Sequence, residues 1–291
     1  MPAPTPTPTP TPSPTPTPTP SAYVIPDYNS DFSLTSTLGY DVNFVEVTNA
    51  GLIDQYFASG ALLADGKVSM MAYSRNPERA DFSYDLISAS YTAADRVPGL
   101  SYIMFQKGKE YLTPGLLGNT PARYVTTALR RTQTTNTTPS GVSSPGYNYQ
   151  LALYGTPSST LDPMPDFLGW SGLVIVRGGI PGTQAQSIAQ VGGGASQVDW
   201  SFTPSADRLS GSIPLYVVTG NNQTQHGLLL AEGKFNRATN SVSGTLVDQM
   251  NGYRGSFRGQ VFGPNRAELA LIFAFSRESD HSQYYGHYIG R

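Results

Sequence analysis

The sequence predicts an all-β fold, in which a small β-rich handle domain precedes an eight-stranded antiparallel up-and-down β-barrel. Charged residues make up only 13% of the 291 residues, whereas Gly (30) and Tyr (18) are abundant. This composition is typical of extracellular β proteins. In the C-terminal half, apolar and polar residues alternate at period two, which indicates half-buried strands. Turn residues recur there at roughly ten-residue intervals, the spacing of a meander.

The C-terminal segments combine glycines and large aromatic residues on one face, as at Gly255, Phe257 and Gly259. Glycine weakens a flat strand. A strongly curved wall accommodates glycine because a neighbouring ring fills the space above it, and this favours a small closed barrel. The predicted barrel strands contain the segments SQVDWSF, RLSGSIPL, LLAEGKF, SVSGTLV, RGSFRGQVFG, ELALIFAF and QYYGHYIG.

The N-terminal half alternates less regularly, and long loops rich in Gly, Pro and Asn separate its predicted strands. Residues 131–146 contain Val142 as their only large apolar residue, so we interpret them as a connector. This places the handle domain at residues 27–140 and the barrel at residues 141–291. Residues 51–63 are the one predicted helix. The predicted strands of the handle domain are residues 31–37, 42–47, 67–73, 80–84, 100–106 and 122–129.

The first 26 residues are dominated by a Thr-Pro repeat. Proline occupies every second position from Pro2 to Pro20, which fixes φ and removes N–H groups that a helix or sheet requires. We predict that residues 1–26 are disordered and act as a semi-rigid spacer. Its nineteen residues from Pro2 to Pro20 span roughly 60 Å at about 3.1 Å per residue. Because a spacer implies attachment, we expect an export signal and a lipid-accepting cysteine upstream of this sequence.

Few residues are suited to catalysis or to metal binding. The chain contains no Cys and 3 His, which excludes thiol chemistry and leaves few general bases near neutral pH. No Gly-x-Ser-x-Gly, His-Glu-x-x-His or phosphate-loop motif occurs. The net charge of −2 does not suit nucleic acid, and no apolar run of about 18 residues predicts a membrane helix. We therefore predict a binding protein without catalytic residues, a metal site or a nucleic-acid partner.

Two segments carry a family resemblance. Residues 154–157 read Tyr-Gly-Thr-Pro, a strand leading into a turn. A Gly-x-Phe-x-Gly motif beginning at Gly255 precedes a Gly-Pro-Asn turn at residues 263–265 and then Glu268. These motifs resemble the transferrin-binding-protein-B-like surface lipoproteins of Gram-negative bacteria, and among them the single-lobe members often labelled solute-binding. The resemblance is clearest over residues 148–291.

The resemblance implies an N-terminal handle domain, an eight-stranded barrel, and a lipid anchor upstream as the attachment to the membrane. It also implies a location at the outer membrane, facing the extracellular side, and a TonB-dependent outer-membrane receptor as partner. The spacer would hold the folded part within reach of extracellular ligands, which are haem, another iron chelate or a carrier protein. Leu271 stands where the family usually has Gly, so we expect different packing of the barrel wall there.

The segment DHSQYYGHYIGR contains three candidate ligand-binding residues, His281, Tyr285 and His287. Tyr and His are the haem-iron ligands available to a protein without Cys, so haem is the candidate ligand. Alternation along the strand places Tyr288 inside the barrel and His287 outside it, or in a groove between the domains. The alternative interpretation is ordinary strand-edge aromatic residues beside a solvated histidine.

Three further candidate residues are in predicted loops. His226 follows GNNQTQ between two barrel strands, a rim position that suits a ligand, although a loop histidine is ordinarily only solvated. Tyr102 and Tyr111 belong to a long segment that mixes aromatic and aliphatic side chains as protein interfaces do. Within that segment we expect residues 100–105 in the core and residues 112–118 at the surface.

Two functions remain open from the sequence. The first is a surface-exposed lipoprotein that binds haem, another iron source or its carrier protein, and passes it to a TonB-dependent transporter. The alternative is an adhesion lipoprotein that recognises a host protein through loops of the handle domain and binds no small molecule. Titration with haemin distinguishes the two, because a bound haem shifts its Soret absorption band.

Overall fold

Two antiparallel sheets contain the strands of the described residues, and the predicted all-β fold is confirmed. The computed structural model describes residues 1, 23–49, 52–62, 69–115, 122–137, 143–180, 186–188, 198–219 and 222–291. Short 3-10 helices lie at Ala93–Asp95, Pro204–Ala206 and Pro264–Arg266. Within these ranges, no helix is long and apolar enough to cross a bilayer.

The first sheet forms a nearly closed eight-stranded barrel with one further strand attached. Its strands are β1 (Phe32–Asn49), β2 (Leu52–Leu62), β3 (Ser69–Arg75), β4 (Glu78–Tyr84), β5 (Ile87–Thr92), β6 (Phe105–Lys107), β7 (Glu110–Pro114), β8 (Val125–Thr137) and β9 (Ser143–Gly155). The order is β5-β4-β3-β1-β9-β8-β7-β6, and β2 pairs with β1. A bridge between Arg96 and Phe105 and a contact between the rings of Tyr91 and Phe105 bring β5 and β6 together at the remaining seam.

The second sheet closes into the predicted eight-stranded barrel. Its strands are β10 (Leu168–Gly179), β11 (Gln186–Ile188), β12 (Val198–Thr203), β13 (Arg208–Thr219), β14 (Asn222–Asn236), β15 (Ser241–Asp248), β16 (Tyr253–Phe262), β17 (Glu268–Arg277) and β18 (Ser282–Gly290). Apart from the short β11, they follow one another in chain order around the barrel, and β18 pairs with β10 to close it. This closed sheet is called the barrel below.

Aromatic rings cover glycines of the barrel wall, as the sequence predicted. A Cβ atom on Gly211 would lie 2.6 Å from the ring of Trp200, and one on Gly233 would lie 2.6 Å from the ring of Phe257. Both rings are buried. Rings therefore occupy the space that side chains at these positions would fill, and the barrel interior is packed with side chains.

The side chain of Leu271 occupies the corresponding space above Gly259. It is fully buried, and its Cδ2 atom would overlap a Cβ atom on the facing Gly259. At the position where the resembling family has Gly, an aliphatic side chain thus fills the wall of this barrel.

The first sheet packs against the outer wall of the barrel. Outward side chains of β8 and β9 meet those of β17 and β18, because alternation along each strand leaves one apolar set facing away from its own interior. The first buried cluster at this junction contains Leu38, Val125, Leu153, Phe262, Ala270, Ile272 and Ile289. The second contains Tyr149, Leu151 and Tyr285.

The Gly-Pro-Asn turn lies at the same junction and has the structural role that the sequence predicted. Gly263 has φ 73°, a conformation that favours glycine. Its N–H donates to the carbonyl oxygen of Thr156 (3.0 Å), and its carbonyl accepts from the hydroxyl of Ser158 (2.6 Å). A Cβ atom on Gly263 would overlap the ring of Tyr124. The turn therefore holds the end of β16 against the chain between the two sheets.

The last residues of the predicted spacer contact the folded part. The hydroxyl of Tyr23 donates to Asp162 (3.1 Å), and its ring packs edge-on against Tyr124, with centroids 5.8 Å apart. The N–H of Val24 donates to the hydroxyl oxygen of Thr156 (3.1 Å). Residues 2–22, which include the Thr-Pro repeat, are outside the described residues.

The predicted helix at residues 51–63 is wrong, because Leu52–Leu62 is β2 and pairs with β1 over most of its length. Ile53, Tyr56 and Phe57 favour strands. Pairing with the preceding strand thus outweighs a weak helical pattern.

The predicted connector at residues 131–146 is also wrong. β8 continues to Thr137, β9 begins at Ser143, and the two strands pair directly over this range. Threonine is β-branched and favours strands without supplying a large apolar side chain. The predicted boundary after residue 140 therefore falls inside this hairpin, and the change of sheet occurs between Gly155 and Leu168.

Candidate ligand-binding sites

A β-bulge positions His226 at one end of the barrel. β13 and β14 pair regularly except between Leu215 and Tyr216, whose partners are Gly227 and Gln225. His226 is therefore the additional residue of a bulge within β14, and the predicted loop location is wrong. A bulge redirects a side chain, and this one directs the imidazole towards Tyr253.

His226 and Tyr253 form a hydrogen-bonded pair, with 2.6 Å between Nε2 and the phenolic oxygen. Tyr253 is fully buried, and the guanidinium of Arg277 lies over its ring, 4.6 Å from the centroid. Arg277 in turn pairs with Asp280 at 2.5 Å. We call His226, Tyr253, Arg277 and Asp280 the His226 site.

The electrostatics of the His226 site favour a neutral imidazole. Burial lowers the pKa of His226 below its ordinary value, and the charge of Arg277 lowers it further. The hydrogen bond from Arg277 holds the pKa of Asp280 well below its usual range. Nε2 is engaged by Tyr253, so Nδ1 is the ring nitrogen left for a ligand, and a neutral imidazole nitrogen can coordinate iron.

His281 lies at the same end of the barrel, in the turn between β17 and β18. It is exposed and has φ 58°. Within the described ranges, no three His, Asp or Glu side chains are grouped closely enough to hold a metal ion.

His287 faces the junction between the two sheets. It lies on β18 between Ile175 of β10 and Ile272 of β17 and is 4% exposed. This is the outward orientation that the sequence predicted, because the neighbouring Tyr288 points into the barrel. In the described part of the chain, neither ring nitrogen has a hydrogen-bond partner. Burial lowers the pKa of His287 to about 3.

Tyr111 and Tyr285 belong to one aromatic surface, although they are far apart in sequence. Arg131 of β8 lies over the ring of Tyr111 (4.1 Å) and over that of Tyr147 (4.7 Å). Tyr147 is next to Tyr149, with ring centroids 6.2 Å apart. Tyr149 and Tyr147 both pack in the cluster that contains Tyr285 of the barrel.

Tyr102 is in an irregular segment before β6 and is 48% exposed. The expectation that residues 100–105 pack in the core is wrong for Leu100 and Tyr102, which are exposed, and right for Phe105, which is fully buried. The expectation that residues 112–118 are surface is wrong for their first part, because Leu112 is fully buried in β7. Residues 116–118 are outside the described ranges.

Three residues that give these sites their geometry, Tyr253, Arg131 and Tyr147, were not predicted from the sequence as site residues. Tyr253 is on the same strand face as Phe257, so alternation alone would have placed it inside the barrel. Arg131 was hidden because it lies in the segment that we interpreted as a connector, and Tyr147 directly follows that segment. The contact of Arg131 with the rings of Tyr111 and Tyr147 can be recognised only once β7, β8 and β9 are paired.

Comparisons with known proteins give similarity among solved structures alone. No protein-family model matches this chain, and no curated protein matches it. A mutant of transferrin-binding protein B from Haemophilus parasuis is similar over 90% of this chain and 76% of its own, with 9% identity and a TM-score of 0.37. The N-lobe of lactoferrin-binding protein B from Moraxella bovis is similar over 62% of this chain and 79% of its own, with 10% identity and a TM-score of 0.39.

HpuA from Kingella denitrificans, solved in complex with human haemoglobin, is similar over 90% of this chain and 87% of its own. Its identity to this chain is 11% and its TM-score is 0.36. Because the identities and TM-scores of these three structures are low, the fold of this chain is established by its own strand pairing.

Proposed function

We propose that this chain is a surface-displayed binding protein that captures haem, another iron source or its carrier protein. It then passes the nutrient to a TonB-dependent transporter of the outer membrane. In this proposal the Thr-Pro repeat and a lipid anchor upstream hold the protein on the extracellular side. The chain acts by binding and has no catalytic role.

The observation that carries this proposal is the hydrogen bond between His226 and Tyr253 at the end of the barrel. The barrel interior is packed, so a ligand would bind at its end or on its outer surface. His226 is half-buried there and reachable, whereas Tyr253 is fully buried and holds the imidazole in place. An uncharged imidazole in a half-buried position suits coordination of iron, and haem is an iron-containing ligand of this kind.

Haemin titration of the purified protein is expected to give a saturable shift of the Soret band. His226→Ala removes the proposed iron ligand, so we expect it to weaken haemin binding at least tenfold and to change the position of the bound Soret band. Tyr253→Phe removes the hydrogen bond and keeps the ring, and it is expected to have a smaller effect. Absorption spectra at increasing haemin concentration measure both.

Gln225→Ala is the matched control, because Gln225 is exposed next to His226 on β14 and has no imidazole, so this variant is expected to leave haemin binding unchanged. His281→Ala tests the other candidate histidine at this end of the barrel. Transferrin, lactoferrin and haemoglobin are the carrier proteins for a parallel binding assay on the immobilised chain. If neither haemin, iron chelates nor these carriers bind the wild-type chain, nutrient capture is refuted.

A second candidate function is adhesion to a host protein through the first sheet. Leu86, in the turn between β4 and β5, is 95% exposed, and Tyr102 is 48% exposed; exposed apolar and aromatic side chains are typical of protein contacts. We expect the double variant Leu86→Ser and Tyr102→Ser to lose host-cell binding at an unchanged melting temperature if this function holds. Host-cell binding equal to that of wild type would exclude it. Deleting residues 112–118 is a poorer test, because Leu112 belongs to the core.

A further inference from the structure

Arg131 packs against two tyrosine rings on the outer face of the first sheet. It pairs in register with Tyr111 on β7 and with Tyr149 on β9. Its guanidinium carbon is 4.1 Å from the ring centroid of Tyr111 and 4.7 Å from that of Tyr147. Stacking on aromatic faces fixes the plane of the guanidinium and reduces the entropy that the side chain would lose on binding.

The charge of Arg131 is not neutralised by an ion pair within the described residues. The nearest acidic side chain along β7, Glu110, points to the opposite face, because neighbouring residues of a strand alternate. There Glu110 pairs with Arg130 at 2.7 Å. Two consecutive arginines thus have different roles, since Arg130 is buried and paired, whereas Arg131 is half-buried and offers its charge outward.

Tyr111 and Tyr147 contact the Arg131 guanidinium through their ring faces, which favours the approach of a ligand to its N–H edge. The edge presents N–H donors in a fork that fits the two oxygens of a carboxylate. Tyr149 and Tyr285 are buried behind the stack, at 7% and 6% exposure, and they supply a rigid support continuous with the barrel. Tyrosine and arginine are also the residues enriched at the energetic centres of protein interfaces.

We propose that Arg131, which lies over the rings of Tyr111 and Tyr147, is an anchor for an acidic side chain of a captured protein. This inference deepens the proposed function and rests on it in naming a captured protein as the partner. The anchor lies on the first sheet, apart from the His226 site on the barrel, so the chain would contact a carrier protein and its iron cargo through different surfaces.

The first experiment tests the anchor without any carrier protein. ¹⁵N-labelled protein is titrated with sodium benzoate, a planar carboxylate, and with benzamide, its uncharged analogue, while the arginine Nε–H resonances are recorded. We expect one resonance to shift with increasing benzoate and not with benzamide. Arg131→Gln is expected to abolish this response, and Arg254→Gln, at an exposed arginine of β16, to preserve it.

The second experiment measures carrier affinity with the same variants and with Arg131→Lys. We expect Arg131→Gln to weaken carrier binding at least tenfold. The affinity of Arg131→Lys should be intermediate, because an ammonium keeps the charge and loses the planar fork. Added NaCl is expected to weaken wild-type binding more than that of Arg131→Gln. Equal melting temperatures show that the variants are folded.

The outcomes separate the anchor from the proposed function. A benzoate response that is missing, or equal in Arg131→Gln, overturns the anchor even if a carrier binds. A carrier that binds wild type and Arg131→Gln equally overturns the role of the anchor in protein capture. If no carrier binds while benzoate still binds through Arg131, the proposal that the chain captures a carrier protein is refuted. The proposal of a carboxylate-binding site at Arg131 is then retained.

Discussion

Glu268→Ala is expected to lower the free energy of unfolding by about 3–5 kcal/mol, because it removes an acceptor from three consecutive buried or partly buried N–H groups. The carboxylate of Glu268 accepts from the backbone of Arg123, from that of Tyr124 at 2.8 Å and from that of Val125 at 3.1 Å. Glu268 is 2% exposed. Denaturant unfolding followed by tyrosine and tryptophan fluorescence measures the change.

The location of Glu268 explains why its removal should matter beyond one residue. It begins β17 of the barrel, and its three donors are Val125, the first residue of β8, and the two residues before it, so the carboxylate joins the two sheets. Burial raises the pKa of Glu268, and the three N–H donors oppose that rise. Glu268→Gln keeps one acceptor oxygen and places an amide N–H₂ near the same donors, so we expect it to lose about half as much stability.

Glu232→Ala is the matched control, since the Glu232 side chain is 68% exposed and pairs only with the exposed Arg208 at 2.5 Å. An exposed pair contributes little, roughly 0–1 kcal/mol. If Glu268→Ala and Glu232→Ala destabilise the protein equally, Glu268 does not join the two sheets.

His287 is expected to make the protein progressively less stable as the pH falls from about 6.5 to about 3. Burial lowers its folded-state pKa to about 3 from the ordinary value of 6.5, and the charge of Arg177 contributes. Over this window the unfolded chain binds a proton that the folded chain does not, so stability falls with decreasing pH. The slope is at most about 1.4 kcal/mol per pH unit, and the total is on the order of 4–5 kcal/mol.

His287→Leu is expected to flatten this pH dependence. At pH 7.5 the change should be nearly neutral or stabilising, because it removes two buried nitrogens without partners in the described part of the chain. Urea unfolding at a series of pH values measures the difference between the variant and wild type. The carboxylates of Asp248 and Asp280, whose folded-state pKa values are lowered, begin to contribute as the pH falls through about 4, so the slope is compared between pH 6.5 and 4.5. The lowered pKa of His226 adds a change of the same sign, and this change is present in both the variant and wild type.

His281→Gln serves as the control for His287, because His281 is exposed and its replacement should leave the pH dependence intact. A wild-type profile that is flat between pH 6.5 and 4.5 would show that His287 is protonated in the folded state or has water as a partner. An unchanged slope in His287→Leu would assign the acid sensitivity to other groups.

The sequence by itself determined the barrel and the type of residue that builds it. Alternation at period two is a local property, and it identified the inward faces of segments such as those of Trp200, Phe257 and Leu271, all of which are buried. The aromatic-over-glycine arrangement could be predicted because curvature and ring size explain it without knowledge of strand partners. The Gly-Pro-Asn turn was likewise predictable, since Gly263 needs a conformation that other residues avoid.

Only the tertiary structure decided which strands belong together and which side chains meet. The sheet membership of Leu52–Leu62 and of Ser143–Gly155 depends on pairing with the preceding strands β1 and β8, and β9 also pairs with the distant β1. Local propensity carries no information about such partners. The position of His226 depends on a bulge set by its pairing with β13. The stack around Arg131 depends on three strands in register, so its chemistry arises from pairing that no single segment specifies.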